Sequence, residues 1–347
     1  MSAAVVEFAN LALRQSADGP AEIAIADVPP SCGGGNAYNG QMGLRISSVF
    51  IILIGSTFGA LFPIIATRHP SLKIPGWTFL FTKYFGSGVI VATAFIHLLT
   101  PANEALTNPC LTGPITEYPW AQGISMISVF TIFFVELLAM RLAKPSTAHF
   151  ETPVQERAPE NGSDAIELAD PESLASIKST PRFNSEYAAQ LTSIFILESG
   201  IIFHSIFIGL TLAVSGEEFT TLYIVLVFHQ AFEGLGLGSR LATVPFPNRW
   251  TSYIMAMCYG LSTPIAIAIG LGLRTTFDPE SQTSLIMNGV FDAISSGILL
   301  YTGLVELMAH EFLFGKSLKD EKLSHVLAAF SYMVLGAALM ATLGKWA

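Results

Sequence analysis

Residues Ile196 to Leu241 read ILESGIIFHSIFIGLTLAVSGEEFTTLYIVLVFHQAFEGLGLGSRL, and this stretch decides the fold. Two apolar runs flank the short polar link Ser215-Gly216-Glu217-Glu218. Each run belongs to a segment long enough to cross a hydrocarbon core of about 30 Å. Polar side chains at that depth are costly, and they default to function. His229 and Glu233 are spaced i,i+4, so a helix puts them one above the other on one face. His204 lies near the middle of the preceding segment. Two imidazoles and a carboxylate at one depth form a donor set for a divalent metal inside a helix bundle. Those ligand types suit zinc best, then iron or manganese. One histidine in an apolar helix is usually a satisfied core residue. Two on adjacent helices, with a glutamate one turn away, weigh toward function.

Composition agrees with a membrane location. Of 347 residues, 51% are hydrophobic and only 12% charged, where a soluble chain carries about 25% charged residues. A formal charge of −9 with no basic patch argues against nucleic acid as a partner. Three cysteines exclude both a disulfide scaffold and a thiolate zinc cluster. Cys258 falls inside an apolar run. Cys32 and Cys110 fall outside the runs and can either pair or stay free.

Eight apolar segments are expected, at about 44–66, 79–101, 123–143, 190–214, 220–243, 250–272, 285–310 and 324–343. The chain then divides into an N-terminal tail (1–43), three membrane helices (44–143), a long internal link (144–189) and five further helices (190–347). The tail is polar and glycine-rich, and disorder is its simplest reading. No positively charged start leads into a short apolar run, so no cleaved leader is expected. The link 144–189 is rich in Ser, Thr, Pro and acids and is expected to be disordered. An even number of spans puts both termini on one side. The segments 102–122 and 215–219 hold no Lys or Arg. The opposite links hold Arg68, Lys73, Arg141, Lys144, Arg240, Arg249, Lys316, Lys319 and Lys322. Positive residues stay inside, so both termini face outward or into a lumen. The plasma membrane is the expected location, with an organelle membrane as the alternative.

His204-Ser205-Ile206-Phe207-Ile208-Gly209, followed by His229-Gln230-Ala231-Phe232-Glu233-Gly234-Leu235-Gly236-Leu237-Gly238, resembles the fourth and fifth helices of ZIP metal transporters. The similarity is to the zinc- and iron-importing branch of fungi and plants. Gly297-Ile298-Leu299-Leu300-Tyr301 with Val305-Glu306-Leu307-Met308-Ala309 resembles that family's seventh helix, and Met340 to Ala347 resembles its usual end. The resemblance implies an all-α, eight-helix ZIP-type bundle and a homodimer. It implies that helices one, four, five and six move as a unit against two, three, seven and eight. Relatives often carry a histidine-rich run in the long link, whereas this chain has only His149 there, so metal sensing by the link is in doubt.

In the bacterial branch, the positions matching Ile208 and Gln230 are a glutamate and an aspartate that hold a second metal. Both carboxylates are missing here. One main metal is therefore expected, on His204, His229 and Glu233, with Ser205 and Gln230 as secondary contacts. His97 and Glu104, near the outer end of the second helix, are candidates for the entrance. Pro101 removes the hydrogen bond to the carbonyl of His97; the alternative there is an ordinary kink with a polar cap. Glu198 is a candidate for the exit, or simply a charge at a helix start. Ser262-Thr263-Pro264 frees the carbonyl of Gly260; the resemblance implies a polar contributor near here, and a packing kink is the preferred reading for any single residue. Asp292, Glu306, His310 and Glu311 mark the seventh helix. Glu306 and His310, spaced i,i+4 near its inner end, form a structural polar cluster or line the exit, the former being the preferred reading. Glu136 in the third helix carries the same two readings.

The function expected is import of a divalent metal, foremost Zn²⁺, into the cytoplasm by an elevator-type motion. Zn²⁺ is cargo, and no resident cofactor is expected. Fe²⁺ or a broad metal range is the alternative within the family. A membrane-embedded metal hydrolase is disfavoured because no H-E-x-x-H motif is present. A non-transporting metal receptor is disfavoured only weakly.

Overall fold

The computed structural model describes residues 35–142, 185–314, 318 and 321–346. Eight helices among them are long and apolar enough to cross a membrane. They are α1 (Met42–Arg68), α2 (Gly76–Leu106), α3 (Trp120–Leu142), α4 (Ser185–Val214), α5 (Phe219–Thr243), α6 (Thr251–Gly272), α7 (Gln282–Leu313) and α8 (Leu323–Leu343). The protein is an all-α, multi-pass membrane bundle, and each helix overlaps one of the eight expected segments. The second helix runs past Pro101 rather than stopping there. Its stretch Thr93–Leu99 is wound as a π-helix, which is one way a helix absorbs a missing bond near a proline. A second π-helical stretch begins at Thr302 in α7. The expectations for the tail before residue 35 and for the link over 143–184 lie outside the described residues.

The described end of the tail is tied down. The Asn36 amide donates to the carbonyls of Arg274 and Phe277, at 2.7 and 2.6 Å. Arg45, fully buried in the first turn of α1, donates to the carbonyls of Leu212, Ala213 and Ser215. Those carbonyls close α4 and have no partner within that helix, and a cation suits the negative end of the helix dipole. The guanidinium also lies over the rings of Tyr38 and Phe219. Tail, α4–α5 link and α6–α7 link thus meet at one end of the bundle, as an even number of spans requires. Cys110 is buried and disulfide-bonded, and Cys258 is a free thiol in α6. Cys32 lies outside the described residues.

Two groups of helices emerge from the packing. α1 lies against α5 and α6, and α6 lies against α4; α2 lies against α8, and α7 against α3 and α2. The groups meet along α2–α5, α4–α7 and α3–α4. α3 and α8 turn wide apolar faces outward, with Ile127, Phe130 and Phe134 on one and Leu327, Phe330 and Val334 on the other. Such faces suit lipid rather than water.

Close approach depends on glycine where backbones touch. A Cβ on Gly238 would stand 2.2 Å from the Ala60 carbonyl oxygen of α1, and one on Gly86 would stand 2.4 Å from the Gly236 Cα of α5. Small residues at such crossings are the usual means of packing membrane helices tightly. A side chain at Gly238 must therefore push α5 off α1. Gly238→Val is expected to cost about 1–3 kcal/mol or more and to lower the yield of monodisperse protein in detergent. Gly43→Ala, where nothing stands within 4 Å, is expected to leave stability unchanged or slightly raised. Melting midpoints of the two variants, followed by scanning fluorimetry, check the contrast.

Candidate metal site

Helical spacing and close packing bring the polar side chains of α4 and α5 together at mid-bundle. His204, His229 and Glu233 are buried, and each offers a ligand atom within 4.8 Å of the others. The i,i+4 pair on α5 sits with His229 Nε2 3.9 Å from Glu233 Oε2, beyond a hydrogen bond. The rings of His204 and His229 lie 5.8 Å apart. Ligands bound to zinc at about 2.0–2.1 Å stand about 3.3 Å from one another in a tetrahedron. The three side chains therefore need only modest rotamer changes to converge on one ion.

Polar atoms that find no partner mark the same place. His204 Nε2, both ring nitrogens of His229, both carboxylate oxygens of Glu233, Ser205 Oγ and Gln230 Nε2 are buried without a hydrogen bond among the described residues. Buried polar atoms are normally paired, and each orphan costs about 1–3 kcal/mol, a charged one more. So many orphans at one crossing of two helices call for a ligand.

The surroundings hold the ligand side chains from three other helices. His97 of α2 packs edge-on against His229, with ring centroids 4.5 Å apart, and its Nε2 is 2.9 Å from the Met340 carbonyl of α8. A carbonyl only accepts, so Nε2 carries the proton and Nδ1 keeps its lone pair. His97 therefore stands against the cluster, deeper than the outer-surface position expected for it. The Tyr259 hydroxyl of α6 is 2.6 Å from the Gln230 carbonyl oxygen and 2.8 Å from Gln230 Oε1. Asp292 Oδ1 of α7 accepts from His204 Nδ1 at 3.3 Å.

A cavity of about 290 Å³ leads away from the cluster. Its wall includes Glu104, Pro101, His97, Asn288, Asp292 and His204. Glu104 is exposed at one end and His204 buried at the other. Ile208 also faces this cavity. Glu198 is buried on α4, six residues toward the opposite end from His204. Beyond it lie two ion pairs, Arg240–Glu306 at 2.8 Å and Lys83–Glu311 at 2.7 Å, and the Tyr301 hydroxyl donates to Glu136. Four of the polar residues on α3 and α7 thus have structural partners. The Gly260 carbonyl freed by Pro264 accepts from Ser56 Oγ of α1 at 3.0 Å, which makes that kink a packing joint.

Tyr259 is a contributor that the sequence reading passes over. The sequence marks Asp292 on the seventh helix but assigns it no partner. The available signal was depth: a phenol and a carboxylate stand mid-span in apolar helices, where polar groups seldom occur without purpose.

Comparison with known proteins bears on the whole bundle. The model of a family described as "ZIP Zinc transporter" matches residues 42–344. The chain is 40% identical to zinc-regulated transporter 2 of Saccharomyces cerevisiae, with 94% of this chain and 99% of that protein aligned. It is 40% identical to zinc-regulated transporter 1 of Schizosaccharomyces pombe, over 91% and 89% of the two chains. With zinc transporter 3 of Arabidopsis thaliana it shares 35% identity, over 87% and 84%.

The orphaned Glu233 carboxylate gives a test of the cluster. Glu233→Gln removes a buried charge whose two oxygens find no hydrogen bond of ordinary geometry among the described residues. The metal-free variant is expected to melt at or above the parent's midpoint, by up to about 1 kcal/mol. Its response to added Zn²⁺ is expected to disappear. Thermal shift with and without Zn²⁺ reads both effects; a metal-free variant that melts well below the parent would show that the carboxylate is held by bonds of its own.

Proposed function

Because the chain belongs to the ZIP zinc transporter family, we propose that it imports Zn²⁺ through the His204–His229–Glu233 cluster. The observation that carries this reading is the set of unpartnered ligand atoms at the end of the Glu104–His97 cavity. The metal enters along that cavity, is held by the two imidazoles and the carboxylate, and leaves past Glu198. Two neutral imidazoles and one carboxylate bind a divalent ion without neutralising it, which suits a site that must also release. Family membership places the chain among transporters, not membrane hydrolases.

The motion proposed is a slide of α1, α4, α5 and α6 against α2, α3, α7 and α8. The packing supports it, since α1, α5 and α6 hold one another closely and α2 with α8, and α7 with α3, form the other group. Both termini are proposed to face outward in the plasma membrane. Arg68 and Arg249 meet at the end opposite Arg45, where the Arg68 guanidinium donates to the Arg249 carbonyl and to Ser252 Oγ. Basic residues on the outer side include Arg45, tied to the end of α4, and Arg274, which spends a donor on the Leu271 carbonyl at 2.7 Å. The working unit is proposed to be a homodimer, which the mass of the detergent complex tests.

Uptake of ⁶⁵Zn into proteoliposomes is the direct test. The parent is expected to transport, and His229→Ala is expected to lose at least about tenfold, since loss of even a partner behind a metal ligand costs about 10–100-fold. Equal flux in both would make His229 structural and move the site elsewhere. Excess Fe²⁺ as competitor reads the substrate range. Imidazole must be unprotonated to bind metal, so protons compete as pH falls through the ordinary histidine range. Uptake is expected to fall below about pH 6, and a flat profile from pH 5 to 7 would argue against histidine ligation.

A further inference from the structure

His204 is held from across the boundary between the two helix groups. Its Nδ1 lies 3.3 Å from Oδ1 of Asp292 on α7. The carboxylate can only accept, so Nδ1 carries the proton and Nε2 is left as the metal-binding lone pair. That Nε2 is buried and without a partner. Asp292 is itself only 8% exposed, and α7 is fixed against α4 at this level by aromatic stacking. The Phe291 ring lies 5.4 Å from Phe203 at 12° and 5.6 Å from Phe207 at 30°. Phe203 and Phe207 bracket His204 on α4, so the stack sets the register that places Asp292 opposite the imidazole. Glu233, by contrast, belongs to α5 and travels with α4 in any motion of that group.

We propose that Asp292 is a positioning residue that fixes the tautomer and orientation of His204, and that its bond from α7 to α4 makes metal affinity depend on the relative position of the two helix groups. This rests on the cluster being the transport site. A carboxylate behind a metal-binding imidazole orients the ring and raises its basicity. Here the carboxylate stands on the group that stays while the imidazole stands on the group that moves. When α4 slides along α7, the bond breaks, His204 loses its fixed tautomer, and the ion is held less tightly. Tight binding and loose binding then come from one ligand set without any ligand leaving.

The test uses full-length purified protein, with Zn²⁺ affinity from chelator competition and Co²⁺ absorption as a report on ligand geometry. Asp292→Ala is expected to weaken Zn²⁺ binding by about 10–100-fold, as loss of such a partner does elsewhere. In proteoliposomes it is expected to raise KM for Zn²⁺ while Vmax is unchanged or higher. Asp292→Asn keeps an oxygen that accepts from Nδ1 and is expected to retain most of the affinity and the parent's Co²⁺ spectrum. Asp292→Leu serves as the deletion if the alanine variant does not fold. Deletion variants that bind as tightly as the parent would overturn the proposal. So would an asparagine variant as weak as the deletions, since the charge itself would then act on the ion. A parent that binds Zn²⁺ no better than His229→Ala would instead sink the site reading on which the proposal stands.

Discussion

A polar atom buried in a hydrocarbon slab must find its partner within the protein, and this constraint organises the bundle. Most of the deep polar groups obey it. Arg45 spends its donors on the closing carbonyls of α4. Ser56 takes the carbonyl that Pro264 leaves free. His97 donates to the Met340 carbonyl. Against that background, the unpartnered atoms of His204, Ser205, His229, Gln230 and Glu233 stand out by their concentration. Elsewhere among the described residues the buried side-chain atoms without a partner are single threonine hydroxyls, at Thr57, Thr93, Thr263 and Thr302, so the concentration of imidazole and carboxylate atoms here calls for a reason. A divalent cation meets the need, because it accepts lone pairs from imidazole and carboxylate alike.

The same constraint separates contacts within a helix group from contacts across the boundary. Lys83 and Glu311 pair within the α2–α7 group, whereas Arg240 and Glu306 pair from α5 to α7. The first pair can persist through a slide of the groups, and the second has to break or re-form. The glycine contacts divide similarly. Gly238 lies against Ala60 within the α1–α5 pair, while Gly86 and Gly236 meet across α2 and α5. Backbone against backbone offers no interlocking side chains, so that crossing can slip with little rearrangement. The boundary thus joins a smooth track at α2–α5 with a few polar bonds that differ between positions.

The fold was legible because hydropathy and length decide a membrane span almost alone, and all eight segments show them. The pairing of His229 with Glu233 was equally readable, being a matter of helical period. What the sequence withheld was depth and partnership across helices. His97 reads as peripheral because Pro101 suggests a helix end, yet α2 passes through the proline by π winding and carries His97 against His229. Tyr259 and Asp292 lie on α6 and α7, apart in sequence from the histidines of the cluster. Their roles depend on the crossings of α6 with α5 and of α7 with α4, which no local pattern encodes. At the other end Glu306, Glu311 and Glu136 find partners on neighbouring helices, in Arg240, Lys83 and Tyr301, pairings that no local pattern encodes.

The same partnerships bear on how many ions the cluster can hold. Two divalent cations side by side need anionic oxygen between them, since their repulsion is otherwise unscreened at low dielectric. Glu233 supplies the only carboxylate among the residues that carry orphan atoms here. Ile208 brings an apolar side chain to the neighbouring cavity wall. Gln230 has its carbonyl-type oxygen engaged by Tyr259 at 2.8 Å, which leaves the amide nitrogen as its unpartnered atom. An amide N–H₂ donates and has no lone pair to give a metal. A second cation would therefore meet a donor where it needs an acceptor. By the way it turns Gln230, Tyr259 favours a single ion on the three proposed ligands.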